Sequence, residues 1–408
     1  MTLREQAERI IKAALSAAQP DSAVKKALQN ADFSAGKLIL VAAGKAAWQM
    51  AKAAYEELDD RINSGVVITK YGHSQGKISD FAIYEAGHPV PDENSFLATE
   101  KAIEAVSNLN ENDTVLFLLS GGGSALFEKP LIPATDLERL TKELLACGAD
   151  IVEINTLRKR FSAVKGGRFA ELCAPAKVFT VVISDVLGDR LDMIASGPAY
   201  PDSSSAEDAL NIVKKYPLTL TEEMQELLHK ETPKTLNNVE THITGSVRQL
   251  CAATEIVCKE LGYETVLLTD SLCCTARDAG SFLGSIARCH GNSGRKLAFL
   301  AGGETVVQLT GNGLGGRKQE LALAAAEQIA GLNACVFSLG SDGTDGPTDA
   351  AGGYVDGESA ALLRKQGISI SEALKNNDSY HALKACNGRI ITGPTGTNVN
   401  DLSVLLIN

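Results

Sequence analysis

The chain is short of everything that would make a disulfide scaffold, a metal ribbon or a membrane protein. Its nine cysteines fall at irregular spacings, with one adjacent pair, Cys273 and Cys274, and no CxxC. That pattern excludes a disulfide framework and a structural zinc site and suits reduced thiols in a cytosolic compartment. No apolar run is long enough to cross a bilayer. Arg4, Glu5, Glu8 and Arg9 stand where a signal peptide would need its apolar core. Positive charge is scarce: 39 Lys and Arg against 50 Asp and Glu leave a net charge of −11. General attraction to nucleic acid or to an anionic membrane is therefore not expected, and an anionic ligand needs a local cluster of cations. The six histidines are scattered and form no nucleophile-plus-base pattern. The P-loop spacing GxxxxGK[ST] is missing. No internal repeat or low-complexity segment occurs. What remains is a soluble, cytoplasmic chain of 408 residues, 44% hydrophobic and 22% charged, with room for two or three domains.

What the chain does have is apolar runs that end in glycine, serine or aspartate. Residues 3–29 read as an amphipathic helix. Leu38–Ala43 reads as a strand, followed at once by Gly44-Lys45 and a helix from Ala46 to Leu58. Exposed amides and the helix dipole attract an anion at such a junction, and a lysine adds a full charge although the dipole disfavours it. A solvated lysine is the alternative. Gly65–Lys70 and Ile83–Ala86 read as strands, the second followed by the rigid loop Gly87-His88-Pro89-Val90-Pro91. Thr114–Leu119 runs into Ser120-Gly121-Gly122-Gly123-Ser124. Three glycines between serines let backbone N–H groups converge on a phosphate, with the hydroxyls as further donors. A plain tight turn is the competing reading.

Val178–Ser184, almost wholly β-branched or aromatic, reads as a strand buried on both faces. It stops at Asp185, and Asp189 and Asp192 follow. Ligands of open α/β sheets sit beyond the carboxyl ends of the strands. Carboxylates there suit Mg²⁺ or a proton taken from a substrate hydroxyl, with turn and cap duties as the bland alternative. Upstream, Asn155 to Arg168 carries five cations in its last eleven residues. On one helix, Leu157, Phe161 and Val164 form the buried stripe and Arg158, Ser162 and Lys165 its flank, while Lys159 and Arg160 point outward. Gly166-Gly167 demand either a close backbone approach or a break in that helix.

The polar stretch 217–242, with Pro233, reads as a boundary between domains 1–235 and 240–408. Beyond it come helix Ser246–Leu261, strand Glu264–Thr269, helix Thr275–Cys289, strands Lys296–Ala301 and Val306–Thr310, helix Arg317–Ala330 and strand Ala334–Leu339. Ile390–Thr392 and Leu402–Ile407 complete the set. Gly311-Asn312-Gly313-Leu314-Gly315-Gly316 matches GxGxxG, but the next strand-end carboxylate, Asp342, comes 26 residues after Gly316, later than a dinucleotide site needs. A glycine loop ending in Arg317 fits phosphate better. Asp342, Asp345 and Asp349 share one glycine-rich loop that lacks the EF-hand frame.

Taken together, AAGKAA (42–47), SGGGSAL (120–126), INTLRKRFSAVKGGR (154–168), ISDVLGD (183–189), ASGP (195–198), AGGETVV (301–307), GNGLGGRKQELAL (311–323), SDGTDGPTDAAG (341–352) and TGPTGTNVNDL (392–402) resemble a class II glycerate 2-kinase. The C-terminal part of that family is called the MOFRL domain. The one departure noted is Arg160, where histidine is expected. The resemblance implies an α/β fold of two domains: an N-terminal Rossmann-like parallel sheet with flanking helices and a C-terminal α/β MOFRL-type domain. The active site would lie in the cleft between them, and the helix over 1–30 would be able to pack on the other domain. The activity implied is ATP-dependent phosphorylation of D-glycerate at its 2-hydroxyl, with Mg²⁺. Lys45 and Arg317 match the family's catalytic lysine and arginine. Asp185 and Asp189 join them as catalytic, and with Asp342 as metal, candidates. Gly44, Ser120, Gly121, Gly122, Gly123, Ser124, Gly313, Gly315 and Gly316 are assigned to phosphate or nucleotide. Arg158, Lys165, Glu304, Thr395 and Asn398 are assigned to substrate. Partners are small molecules, with a homodimer left open. Two rivals are an NAD(P)H-dependent hydroxypyruvate reductase and a non-catalytic sugar-phosphate-binding module.

Overall fold

Every strand with a continuous apolar run is central in a sheet, as burial on both faces requires. The computed structural model describes all residues except Leu187 and Asp189. The chain divides into two compact units, one of Ala23–Thr244 and one of Met1–Ser22 with Gly245–Asn408.

In the first unit, β1 (Leu38–Ala43), β2 (Ser64–Lys70), β3 (Ala82–Ala86), β4 (Thr114–Leu119), β5 (Lys177–Ile183) and β6 (Val239–Gly245) form one sheet in the order β3-β2-β1-β4-β5-β6. The pairings β1–β2, β2–β3, β1–β4 and β4–β5 are parallel. The strand order reverses between β1 and β4, which makes their carboxyl ends the switch point of a Rossmann-like sheet. Phe117, Phe127 and Phe169 pack together beneath it. A second apolar cluster belongs to helices Ala134–Ala146, Ile151–Arg160, Ala206–Lys215 and Glu222–Leu228, with Leu140, Leu157, Phe161 and Met224 at its centre.

Several expectations need correction here. The helix over 3–29 is two, Leu3–Ala17 and Pro20–Leu28, because Pro20 lacks the N–H to continue the first and restricts the residue before it. The polar stretch 217–242, read as the domain boundary, lies within the first unit, which ends at Thr244. It holds helix Glu222–Leu228 and most of β6, and β6 reads as polar because it lies at the sheet edge and is only partly buried. The helix over 155–168 ends at Arg160. Gly166 and Gly167 adopt φ of +59° and +86°, left-handed values that glycine takes without strain.

In the second unit, β7 (Glu264–Leu272), β8 (Leu297–Gly303), β9 (Ala334–Gly340), β10 (Gly352–Asp356), β11 (Arg389–Ile390) and β12 (Asp401–Ile407) form a sheet in the order β11-β10-β9-β12-β8-β7. It is mixed: β12 runs antiparallel to both β8 and β9, and β7 parallel to β8. The last strand of the chain is thus central, with all seven residues buried. Helix Leu3–Ala17 belongs to this unit, where Tyr263 Oη donates to Gln6 Oε1 at 2.5 Å. The expected strand Val306–Thr310 does not form. Its one ladder contact is the bridge between Val306 and Thr275, and Leu309 is 80% exposed. The helix expected to reach Ala330 spans Arg317–Ala325.

Candidate active site

At the switch point the loops after β1 and β4 are braided. Lys45 N donates to Gly121 O at 2.9 Å and Ser120 N to Ala43 O at 3.0 Å, while Ser120 Oγ accepts from Ala46 N at 3.1 Å. The approach is close enough that a Cβ on Gly44 would stand 2.5 Å from Ser120 O. Lys45 is half-buried just before helix Ala47–Leu58, which has no side-chain N-cap. Thr69 Oγ1 and His73 Nδ1 bond its carbonyl oxygen at 3.3 and 3.0 Å. The amides of Gly121, Gly122 and Ser124 donate to no backbone carbonyl among the described residues. An oxyanion fits such a nest.

Two side chains close on this loop. A Cβ on Gly121 would lie 2.9 Å from Asp185 Cγ, so the carboxylate past the end of β5 sits against the nest. One on Gly122 (φ +88°) would lie 3.0 Å from His88 Cδ2 and 3.2 Å from Lys45 Cγ. His88 carries no motif in the sequence. Its one signal was the rigid loop that follows β3. Burial, then the charges of Lys45, Lys70 and His73, hold the His88 imidazole below the usual histidine pKa. Asp189 lies outside the described residues. Asp192 serves its own turn, accepting from Arg190 Nη2 at 3.0 Å and Ser203 Oγ at 3.1 Å.

The basic stretch turns inward. Lys159, expected to face solvent, is buried and pairs with Asp202 at 2.9 Å. Arg160, also buried, donates to Lys230 O at 2.7 Å and Ser204 O at 2.9 Å and meets Glu231 at 3.1 Å. Lys165 is fully buried behind the glycine loop, donating to Ser124 O and Phe127 O, with Glu128 at 3.4 Å. Its pKa falls through burial, against the charge of Glu128. Arg158 is largely buried near Glu128, and burial lowers its pKa too.

In the second unit, Arg317 donates to Asp401 at 2.6 and 3.2 Å and to Glu304 at 2.6 Å. Burial works against its charge, but Asp401 and then Glu304 outweigh that and raise its pKa. Among the described residues three of its five N–H donors are engaged, which leaves two for a ligand. Lys318 Nζ lies 3.3 Å from Asp401. The expected open anion site at this helix start is already capped: Asp345 accepts from Lys318 N at 3.2 Å and Gln319 N at 2.9 Å. The amides of residues 311–314 bond to Asn376, Asn377 and Asp378, and a Cβ on Gly313 or Gly316 would stand 2.5 Å from Asp378 or Asp345. Gly315 is as tightly packed, against Ser379. These glycines permit packing first. The loop still forms one wall of a cleft of about 840 Å³ that also exposes Arg317, Lys318, Asp342 and Thr344. Asp342 folds back on Thr344 N and Oγ1, both at 3.0 Å. Thr395 bonds Ser341 O, and Asn398 Oδ1 accepts from Asn400 N at 3.4 Å.

No group of three or more His, Cys, Asp or Glu forms a metal cage among the described residues. Mg²⁺ needs none, since it is held by one or two carboxylates together with phosphate oxygens and water. Asp185 against the glycine loop fits that requirement. A switch point furnished with a lysine, a glycine-loop nest of amides and a strand-end carboxylate has the parts that phosphoryl transfer uses.

Comparison with known proteins agrees with that class. Residues 6–229 match the family described as a domain of unknown function, DUF4147, and residues 297–401 match the MOFRL family. A protein of Thermotoga maritima named D-glycerate 2-kinase is 54% identical, over 100% of this chain and 99% of its own. One of Pyrococcus horikoshii named glycerate 2-kinase is 40% identical, over 100% and 98%. The crystal structure of Thermotoga maritima glycerate kinase superposes with a TM-score of 0.95 at 54% identity, covering 100% of this chain and 99% of that one. The chain belongs to the class II glycerate 2-kinase family, with its MOFRL domain.

Proposed function

We propose that this protein transfers the γ-phosphoryl group of ATP to the 2-hydroxyl of D-glycerate, with Mg²⁺, giving 2-phospho-D-glycerate and ADP. The observation that carries the reading is the convergence of Lys45, the Ser120–Ser124 loop and Asp185 at the carboxyl ends of β1, β4 and β5. Phosphoryl transfer requires positioning and charge neutralisation rather than covalent chemistry. The amides of Gly121, Gly122 and Ser124 bind phosphate oxygens, and Lys45 neutralises the charge that grows on them. Asp185 would help to hold Mg²⁺, which when bound would supply positive charge that lowers the electrostatic barrier to attack. Asp185 either ligates it or orients the attacking hydroxyl and receives its proton. Arg317 is the second catalytic cation, with two N–H donors to offer. Glu304 holds Arg317 and is proposed with Arg158 on the substrate side.

Purified protein should release ADP from ATP only when D-glycerate and Mg²⁺ are both present, with the product identified as the 2-phosphate by NMR. Absence of glycerate-dependent ADP release, or oxidation of NADH in the presence of hydroxypyruvate, would refute the reading.

A further inference from the structure

The loop that carries the proposed phosphate contacts is anchored from behind by side chains that touch no reacting atom in that scheme. Lys165, fully buried, donates to the carbonyl oxygens of Ser124 at 2.9 Å and Phe127 at 3.0 Å. Glu128, also buried, supplies the counter-charge at 3.4 Å. From another direction the Ser196 hydroxyl lies 3.3 Å from Ser124 Oγ and donates to Asn155 Oδ1 at 3.1 Å. The two anchors are joined to each other: Gly166 N donates to Ser196 O at 3.0 Å and Gly167 N to Gly197 O at 2.7 Å. The loop is also in contact with this scaffold, since a Cβ on Gly123 would lie 2.7 Å from Ala195 Cβ.

An anion site built from backbone amides works only if its peptide planes are fixed before the ligand arrives. Gripping a carbonyl fixes the plane it belongs to. We propose that Lys165 and Ser196 are positioning residues for the reaction, holding the Ser120–Ser124 loop in the shape that presents its amides to phosphate. Glu128, 3.4 Å from Lys165 Nζ, offsets part of the cost of placing an ammonium where a lone one would be unfavourable. The inference rests on the kinase reading above, and it assigns Lys165 to the loop rather than to substrate.

The Lys165→Met/Glu128→Gln double variant removes both charges of the pair together and is expected to melt near wild type. Its kcat should fall roughly 100-fold, as misplaced reacting groups commonly cause. Amide hydrogens of the segment 119–127 should exchange faster with deuterium, whether or not inorganic phosphate is added. Ser196→Ala removes a single hydroxyl and decides the matter if the double variant does not fold: it should show a smaller loss of kcat and the same direction of exchange. Unchanged kcat or unchanged exchange over 119–127 in the folded double variant would overturn the proposal, as would a Ser196→Ala protein unchanged in both. A wild type with no glycerate-dependent ADP release would refute the kinase reading alone, because the exchange comparison still decides the anchoring.

Discussion

Gly121→Ala isolates the role of Asp185. Gly121 is not among the residues at positive φ, so alanine is tolerated by the backbone and the effect is steric. The new Cβ would stand 2.9 Å from Asp185 Cγ and nearer still to Oδ2. Ordinary van der Waals separation then requires the carboxylate to retreat by about 1 Å. Asp185 is only partly buried and its side chain is short, so the stability loss should be about 1 kcal/mol, the low end for overpacking. A retreat of that size matters far more to chemistry, on the order of 100-fold in kcat, or about 2.7 kcal/mol in the barrier. Steady-state ADP release, with KM for glycerate and a thermal melt on the same preparation, separates the two effects. Asp185→Asn should share the loss of kcat with little change in melting temperature. Wild-type kcat in Gly121→Ala would show that Asp185 is a turn residue and that its place against the nest has no bearing on turnover.

Lys45→Ala should fold normally, because the side chain is half-exposed, yet lose kcat by a factor of order 100 to 1,000, the usual effect of removing one oxyanion-stabilising group. Near-normal turnover would refute its role. Arg317→Lys keeps the charge but cannot hold both Asp401 and Glu304 while presenting a planar fork to phosphate. It should lose most of kcat with a smaller change in glycerate KM, and wild-type kinetics would show that charge alone suffices. The folded-state pKa of His88 lies below its unfolded value, through burial and then Lys45, Lys70 and His73. Its stabilising contribution is therefore complete above about pH 6.5 and is lost as pH falls through the folded value. His88→Asn should shrink the drop in urea midpoint between neutral and mildly acidic buffer, and an identical drop would refute the assignment.

Local chemistry was legible wherever it was local. β1, β4 and β5 are continuous apolar runs, and Lys45, the Ser120–Ser124 loop and Asp185 follow them directly, so the sequence by itself placed each at the carboxyl end of a strand. Gly166-Gly167 marked either a close backbone approach or a helix break, since glycine pairs cannot be indifferent inside a helix, but the helix ends earlier, at Arg160. Tertiary structure decided what those pieces meet. Only the order β3-β2-β1-β4-β5-β6 brings the ends of β1 and β4 side by side, because parallel strands are paired through crossovers that leave no mark on spacing. The basic run holding Lys159 and Arg160 reads as outward-facing because amphipathicity is judged within one helix. Its partners Asp202 and Glu231 lie 43 and 71 residues away, and long-range pairs of that kind draw lysine and arginine into the interior. The same holds for β6 and β10, whose polar or glycine-rich sequences become strands only because a neighbouring strand satisfies their backbone. Sequence thus determined the chemistry each segment can offer, and the fold decided whether that chemistry faces a ligand or another part of the chain.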